Sequence, residues 1–228
     1  MKTLIDPTAA DKIEAAHPRL QAGCWGGTHT ACMMSAFVRG AGGIQDCVTA
    51  RWPEWLVQLN VWMFDVNVGA KCEQTARHQF ALDVAYAVQV PRDYDKARDL
   101  FLIATLDRAE EHDTDGLCQH VIGLLRRRIA GQDVADAMTA TFSAAHAAAA
   151  HAAAANDAAA HDAAFYAAHA AADSDAYAAA LAAVHAAGRA AADSNAATRA
   201  AARAAARAAQ GAVNVASRQD LIAALNAA

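Results

Sequence analysis

The chain has 228 residues, of which 56% are hydrophobic, so it is long enough for one large domain or two small ones. Its formal net charge of −5 at pH 7 argues against a protein that binds nucleic acid or anionic membranes through a basic surface. The chain has five cysteines, and its first residues lack the apolar core of a signal peptide, which together predict reduced thiols in the cytoplasm.

Apolar residues recur with helical spacing along the first half of the chain, and no convincing strand pattern accompanies them. Cap, proline and glycine signals predict helices at about residues 6–17, 30–39, 73–89, 93–108 and 117–129, and another that begins near residue 53. In the helix that begins near residue 53, Trp55, Leu59 and Trp62 share one face. We therefore expect these three side chains to lie in the core of the first half of the chain. Asp95 and Asp99 also share a face, and the basic residues among them predict a mixed-charge surface rather than a pair of acid–base carboxylates.

The second half is dominated by alanine, which makes up 41 of the 68 residues from Ser143 to Gln210. Alanine is the best helix former, but it has little side chain to bury. Asn, Asp and Ser residues interrupt the tract as natural N-caps and predict helices at about residues 133–155, 157–171, 174–187 and 194–209, followed by 217–225. Charged residues and histidines also interrupt it, so no membrane span is predicted.

Helices of this length are marginal alone, so they are expected to pack as antiparallel hairpins, with one continuous rod as the alternative. The predicted fold class is all-α. An N-terminal helical domain with a Trp/Leu/Phe core, residues 1–130, is followed by an alanine-rich bundle of short antiparallel helices, residues 131–228.

Thiol and imidazole side chains near the start of the chain suggest a metal site, because zinc takes three or four such ligands in a tetrahedron. The pattern Cys-x4-His-x2-Cys-x14-Cys is formed by Cys24, His29, Cys32 and Cys47. Two alternatives remain open. In the first, the cysteines of the apolar helix at about residues 30–39 are structural residues of the core. In the second, Cys24 beside His29 is the nucleophile of a thiol enzyme.

Two groups of residues are candidates for binding a ligand or partner. The first is the aromatic and histidine set Trp25, His29 and Trp52, with burial in the core as the alternative for tryptophans. The second is the pair His161 and His169, which share a predicted helix face with acidic residues; a solvated face is the alternative. Zinc is the only cofactor that these patterns suggest.

Two stretches resemble known families. Residues 143–148 (Ser-Ala-Ala-His-Ala-Ala) and 182–190 (Ala-Ala-Val-His-Ala-Ala-Gly-Arg-Ala) resemble the helical immunity proteins of bacterial toxin–immunity systems. Residues 32–36 (Cys-Met-Met-Ser-Ala), followed by Gly43 and Cys47, are similar to an uncharacterised family of phage and actinobacterial proteins with the pattern Cys-x-Met-Glu-Ala. Ser35 replaces the glutamate of that pattern. Together these resemblances imply an accessory protein of a phage or mobile element.

The sequence therefore predicts a non-enzymatic cytoplasmic binding protein of the immunity or counter-defence type, which sequesters a protein or small-molecule partner. A metal-dependent or thiol enzyme that uses the Cys24–Cys47 region is the first alternative. A structural module that self-associates through its alanine helices, giving a homo-oligomer, is the second.

Overall fold

The computed structural model describes residues 8–16, 33–38, 41–65, 73–109, 116–154 and 215–228. Every regular element in these ranges is an α-helix, which confirms the predicted all-α class. The helices are α1 Ala9–Ala16, α2 Met33–Phe37, α3 Ile44–Thr49, α4 Glu54–Asp65, α5 Glu73–Ala87, α6 Tyr94–Ala109, α7 Leu117–Ile129, α8 Ala135–Ala154 and α9, residues 215–227. Among these described helices, none has both the length and the apolar character needed to cross a bilayer.

The described residues belong to two compact units. Unit 1 contains those up to Ala97 and those from Ile222 onward, and unit 2 contains those from Arg98 to Leu221. In unit 1, α1 packs against α2 and α5, while α4 packs against α2, α3 and α5. In unit 2, α7 packs against α8. The boundary predicted after residue 130 thus falls between two helices of one unit, and independent folding of the two predicted domains stays a prediction.

The buried face of α4 differs from the predicted stripe by about one position. Leu56, Leu59 and Met63 are at most 2% exposed and follow the i, i+3, i+7 spacing of a helix face. Leu59 is fully buried as predicted, whereas Trp55 is only partly buried, so the prediction for Trp55 holds in part. The apolar sector of α4 is wide enough to accommodate either stripe, and the packing of α2, α3 and α5 around it selects between them.

The short helix α3 is not predicted by the sequence patterns. After its last turn, the Arg51 N–H donates to the Val48 carbonyl at 2.8 Å and the Trp52 N–H donates to the Cys47 carbonyl at 3.0 Å. This pair of bonds is the Schellman motif, which places one residue in the left-handed region; here that residue is Arg51, with φ 65°. Six residues are too few to show an apolar period, and the usual glycine stop signal is absent.

The later helices follow their local signals more closely. Asp93 caps α6, because the Lys96 N–H donates to its carboxylate at 3.1 Å, and α7 has the predicted bounds. The buried face of α6 includes Ala97, Phe101 and Leu102, whereas Leu100 is only partly buried.

The first alanine-rich helix, α8, occupies nearly the predicted range. Met138, Thr141 and Ala145 lie on its buried side at helical spacing. The last helix, α9, covers the predicted range 217–225 and continues to residue 227, and it buries Leu221 and Leu225. The other three predicted alanine-rich helices lie outside the described residues.

Candidate functional site

Two of the predicted site residues, Cys47 and Trp52, lie in the described part of the chain and are close together. The hydrogen bond between their main chains sets Trp52 directly after the turn that ends α3. The Trp52 side chain is 2% exposed and stacks on Phe37, with ring centroids 5.4 Å apart and an interplanar angle of 9°. Cys47 is fully buried on α3. Both side chains are therefore part of the packing that joins α2, α3 and α4.

The remaining predicted site residues lie outside the described residues. They are Cys24, Trp25, His29, Cys32, His161 and His169. Among the described residues, no group of three or more His, Cys, Asp or Glu side chains is arranged to hold a metal ion. Because three of the four proposed ligands are not described, the zinc site stays a prediction.

Asp99 on α6 is a buried carboxylate, only 3% exposed, so the predicted mixed-charge surface is wrong at this position. Arg128 of α7 binds it with two hydrogen bonds, from Nη2 to Oδ1 at 2.6 Å and from Nε to Oδ2 at 2.9 Å. Arg98 Nε lies 3.7 Å from Oδ1. Such bidentate, charge-assisted pairing is what allows an ionised carboxylate to remain buried. Both oxygens are engaged, so this carboxylate is poorly suited to act as a general base.

The Asp99–Arg128 pair has no local signal in the sequence, because its members are 29 residues apart. A partial signal exists within α6, where Asp99 shares a helix face with the buried Leu102 and Leu106. A carboxylate on an apolar face indicates a buried partner. That partner is identified only by the packing of α6 and α7.

A second arginine of α6 contacts α9 within unit 2. Arg108 Nη1 forms an ion pair and hydrogen bond with the Asp220 carboxylate, and Arg108 Nη2 donates to the Ser217 hydroxyl at 3.3 Å. Ser217 is fully buried, so the contact supplies a partner for a hydroxyl that water cannot reach. Arg108 thus positions α9 rather than presenting a free cation.

Basic residues also satisfy helix C-termini within unit 1. Lys96 Nζ donates to the Ala227 carbonyl at 2.9 Å, and Arg92 Nη1 donates to the Asn226 carbonyl at 3.3 Å. Arg92 Nε donates to the Ala87 carbonyl of α5 at 2.9 Å. The last carbonyls of a helix lack partners within it and carry partial negative charge, so cations are favourable there. These two side chains hold the end of α9.

The C-terminal end of α5 carries an exposed apolar patch, which we define as Tyr86, Val90 and Pro91. Tyr86 is 56% exposed and Val90 is 49% exposed, while the neighbouring Ala87 and Val88 are buried. Pro91 is exposed as well. These apolar side chains therefore lie outside the core, and we call the three of them the α5 patch.

No protein-family model, curated protein or solved structure matches this chain.

Proposed function

We propose that the chain is a non-enzymatic binding protein of the immunity or phage counter-defence type, and that it acts by occupying a partner protein. The observation that carries the proposal is the exposed α5 patch. Tyrosine is enriched among the residues that dominate protein–protein affinity, because it contributes a large contact area at low entropic cost.

The use of charged groups supports a binding rather than a catalytic role. Five charged residues of the described part of the chain each contact another helix or a helix end: Asp99, Arg108, Arg128, Arg92 and Lys96. Catalysis by such groups requires side chains that can reach a substrate and exchange protons with it. Groups paired between helices in this way stabilise the packing of each unit and are not presented to a substrate.

The form of the patch favours a protein over a small molecule as the partner. Tyr86 is more than half exposed, whereas a small-molecule site usually encloses most of its ligand. Exposed apolar side chains of this kind are more typical of a protein contact than of an enclosed ligand site.

Capture of a partner tests this proposal. Wild-type protein, a Tyr86→Ser/Val90→Ser variant and an Ala76→Ser control are immobilised as baits, and the retained proteins are quantified. Ala76 is exposed on the same helix, away from the patch, so its change is a matched control. We expect wild type and control to retain one common protein that the patch variant loses. Retention of the same protein by all three baits would contradict the role of the patch.

A growth assay tests the biological class. The chain is co-expressed in bacteria with toxin and anti-phage genes that lie beside its own gene. We expect growth or phage plating to be restored by wild type and by Ala76→Ser, but not by the patch variant. Absence of any effect of wild type on these neighbouring systems would reject the immunity or counter-defence assignment while leaving a binding role intact.

A further inference from the structure

The carboxylate of Asp83 lies one turn before Tyr86 of the α5 patch, on the same side of the helix. Residues three apart in an α-helix are neighbours on its surface, with Cβ atoms about 5–6 Å apart. Asp83 is partly buried and Tyr86 is 56% exposed, so both side chains can be reached from solvent. The exposed apolar surface of the α5 patch therefore begins beside a negative charge.

No cation is paired with the Asp83 carboxylate in the described part of the chain. Its Oδ1 accepts a hydrogen bond from Gln79 Nε2 at 2.8 Å, and this neutral partner leaves the negative charge in place. An ionised carboxylate accepts hydrogen bonds through both oxygens, so the bond to Gln79 does not exhaust its capacity. Asp83 is thus able to pair with a cationic donor from another molecule.

The cation next to the patch in the sequence, Arg92, is engaged elsewhere. Its Nε donates to the Ala87 carbonyl at 2.9 Å, and its Nη1 and Nη2 donate to the main-chain and side-chain oxygens of Asn226 at 3.3 and 3.4 Å. Asp93, two residues after Pro91, adds an exposed carboxylate at the other end of the patch in the sequence. Exposed apolar side chains are therefore bordered by acids that no described cation contacts.

We propose that the α5 patch binds an arginine of the partner protein that lies between apolar residues, with its guanidinium on the Tyr86 ring and paired with Asp83. This inference rests on the proposed function and names the chemistry of the partner. The face of a tyrosine ring attracts cations, arginine more often than lysine. A planar guanidinium also fits a carboxylate with two parallel hydrogen bonds. Val90 and Pro91 contact the apolar residues beside the arginine.

The same carboxylates disfavour other occupants of the patch. An anionic segment or an anionic lipid surface would place like charges against Asp83 and Asp93, which lowers affinity and slows association. A two-fold contact between copies of this chain brings the same surface of each copy together, so it would oppose the same carboxylates. A cationic, apolar segment is the occupant whose charge complements the patch.

Three labelled peptides of equal length serve as probes, in which leucine alternates with arginine, with citrulline or with glutamate. Citrulline resembles arginine in shape but carries no charge. Fluorescence anisotropy measures the Kd of each peptide for full-chain wild type, Asp83→Asn, Tyr86→Leu and a control, Asp136→Asn. Asp136 is exposed on α8, so the control removes the same charge outside the patch.

We expect wild type to bind the arginine peptide about tenfold or more tightly than the citrulline or glutamate peptide, because arginine alone satisfies both the ring and the carboxylate. Asp83→Asn and Tyr86→Leu should each weaken this binding about fivefold, and Asp136→Asn should change the Kd by less than about twofold. The effect of Asp83→Asn should shrink in about 0.5 M NaCl, because salt screens exposed charges.

Four results would each overturn the arginine assignment. They are equal affinity for the arginine and citrulline peptides, tighter binding of the glutamate peptide, equal effects of Asp83→Asn and Asp136→Asn, and no binding of the arginine peptide to wild type. Dimerisation of the full chain that Tyr86→Leu abolishes would assign the patch to a second copy and overturn it as well.

The protein captured by the baits separates this failure from that of the proposed function. If Tyr86→Ser/Val90→Ser loses that protein and Asp83→Asn retains it in full, the proposed function stands and the arginine assignment falls. If both variants retain it, the proposed function falls too. Loss of the protein by both variants, with retention by Asp136→Asn, supports both.

Discussion

At the scale of single residues, the pairing of Asp99 with Arg128 shows how this fold accommodates a buried charge. The carboxylate is 3% exposed, whereas the Arg128 side chain keeps 23% of its surface in contact with solvent. Much of the desolvation penalty therefore falls on the acid, and two short hydrogen bonds offset it. Removing Arg128 alone should therefore lower the free energy of unfolding far more than replacing both Asp99 and Arg128 with apolar side chains.

The first prediction follows from this asymmetry. Arg128→Met leaves Asp99 buried beside Arg98 alone, and we expect the free energy of unfolding to fall by about 3 kcal/mol. The double variant Asp99→Leu/Arg128→Met removes both charges and should lie within about 1 kcal/mol of wild type. Urea denaturation of the full chain measures both values. Equal losses in the single and double variants would show that the pair is not coupled.

At the scale of elements, helix ends are set by local backbone geometry. After α7, the Gly131 N–H donates to the Arg128 carbonyl at 2.8 Å and the Gln132 N–H donates to the Arg127 carbonyl at 3.0 Å. These bonds form a Schellman motif whose left-handed residue is Gly131, with φ 78°. The same motif ends α3 with Arg51 in the left-handed position.

Alanine substitutions at two glycines, one inside α7 and one in the turn that ends it, should change the free energy of unfolding in opposite directions. Gly131→Ala puts a side chain where φ is positive, so we expect a loss of about 1 kcal/mol in the free energy of unfolding. Gly123 lies inside α7, where an added Cβ would meet no atom within 4 Å, and Gly123→Ala should raise the free energy of unfolding by about 0.5–1 kcal/mol. Thermal or urea unfolding of both variants checks this, and changes of the same sign would contradict the assigned turn.

How far the sequence predicts this fold depends on whether the signal is local. The bounds of α7 and the start of α6 near residue 93 follow from the sequence, because caps and stop signals act within a few residues. The helix α3 could not be predicted, because it is short and the turn that ends it has Arg51 in place of a glycine. The Asp99–Arg128 contact could not be predicted either, because it depends on which helices pack together.

The candidate site was less predictable than the fold for a related reason. Residue type and spacing make Cys47 a candidate zinc ligand and Trp52 a candidate binding residue, each with burial in the core as the alternative. The structure buries both beside the turn that ends α3, and no sequence pattern predicts that turn. The sequence patterns do not identify the α5 patch, because in the sequence Tyr86 and Val90 look like any other apolar residues. Only the burial of Ala87 and Val88 in the structure shows which face of the chain is covered.

At the scale of the whole molecule, metal content separates a binding protein from a metal-dependent enzyme. Cys47, one of the four candidate ligands, is fully buried on α3 beside the stacked Trp52 and Phe37. The proposed non-enzymatic role predicts that the purified full chain contains far less than one zinc per molecule, with the same content in Cys32→Ser and Cys47→Ser. Stoichiometric zinc that either substitution removes would instead support the metal site.

The central claim is that the α5 patch is the surface with which this protein binds its partner. The most direct measurement is the Kd of the captured protein for wild type, Ala76→Ser and Tyr86→Ser/Val90→Ser. We predict that the patch variant binds about tenfold or more weakly, with the control unchanged, because an aromatic anchor commonly contributes more than 1 kcal/mol. A Kd that is the same for all three proteins, with the fold intact by circular dichroism, would contradict the account.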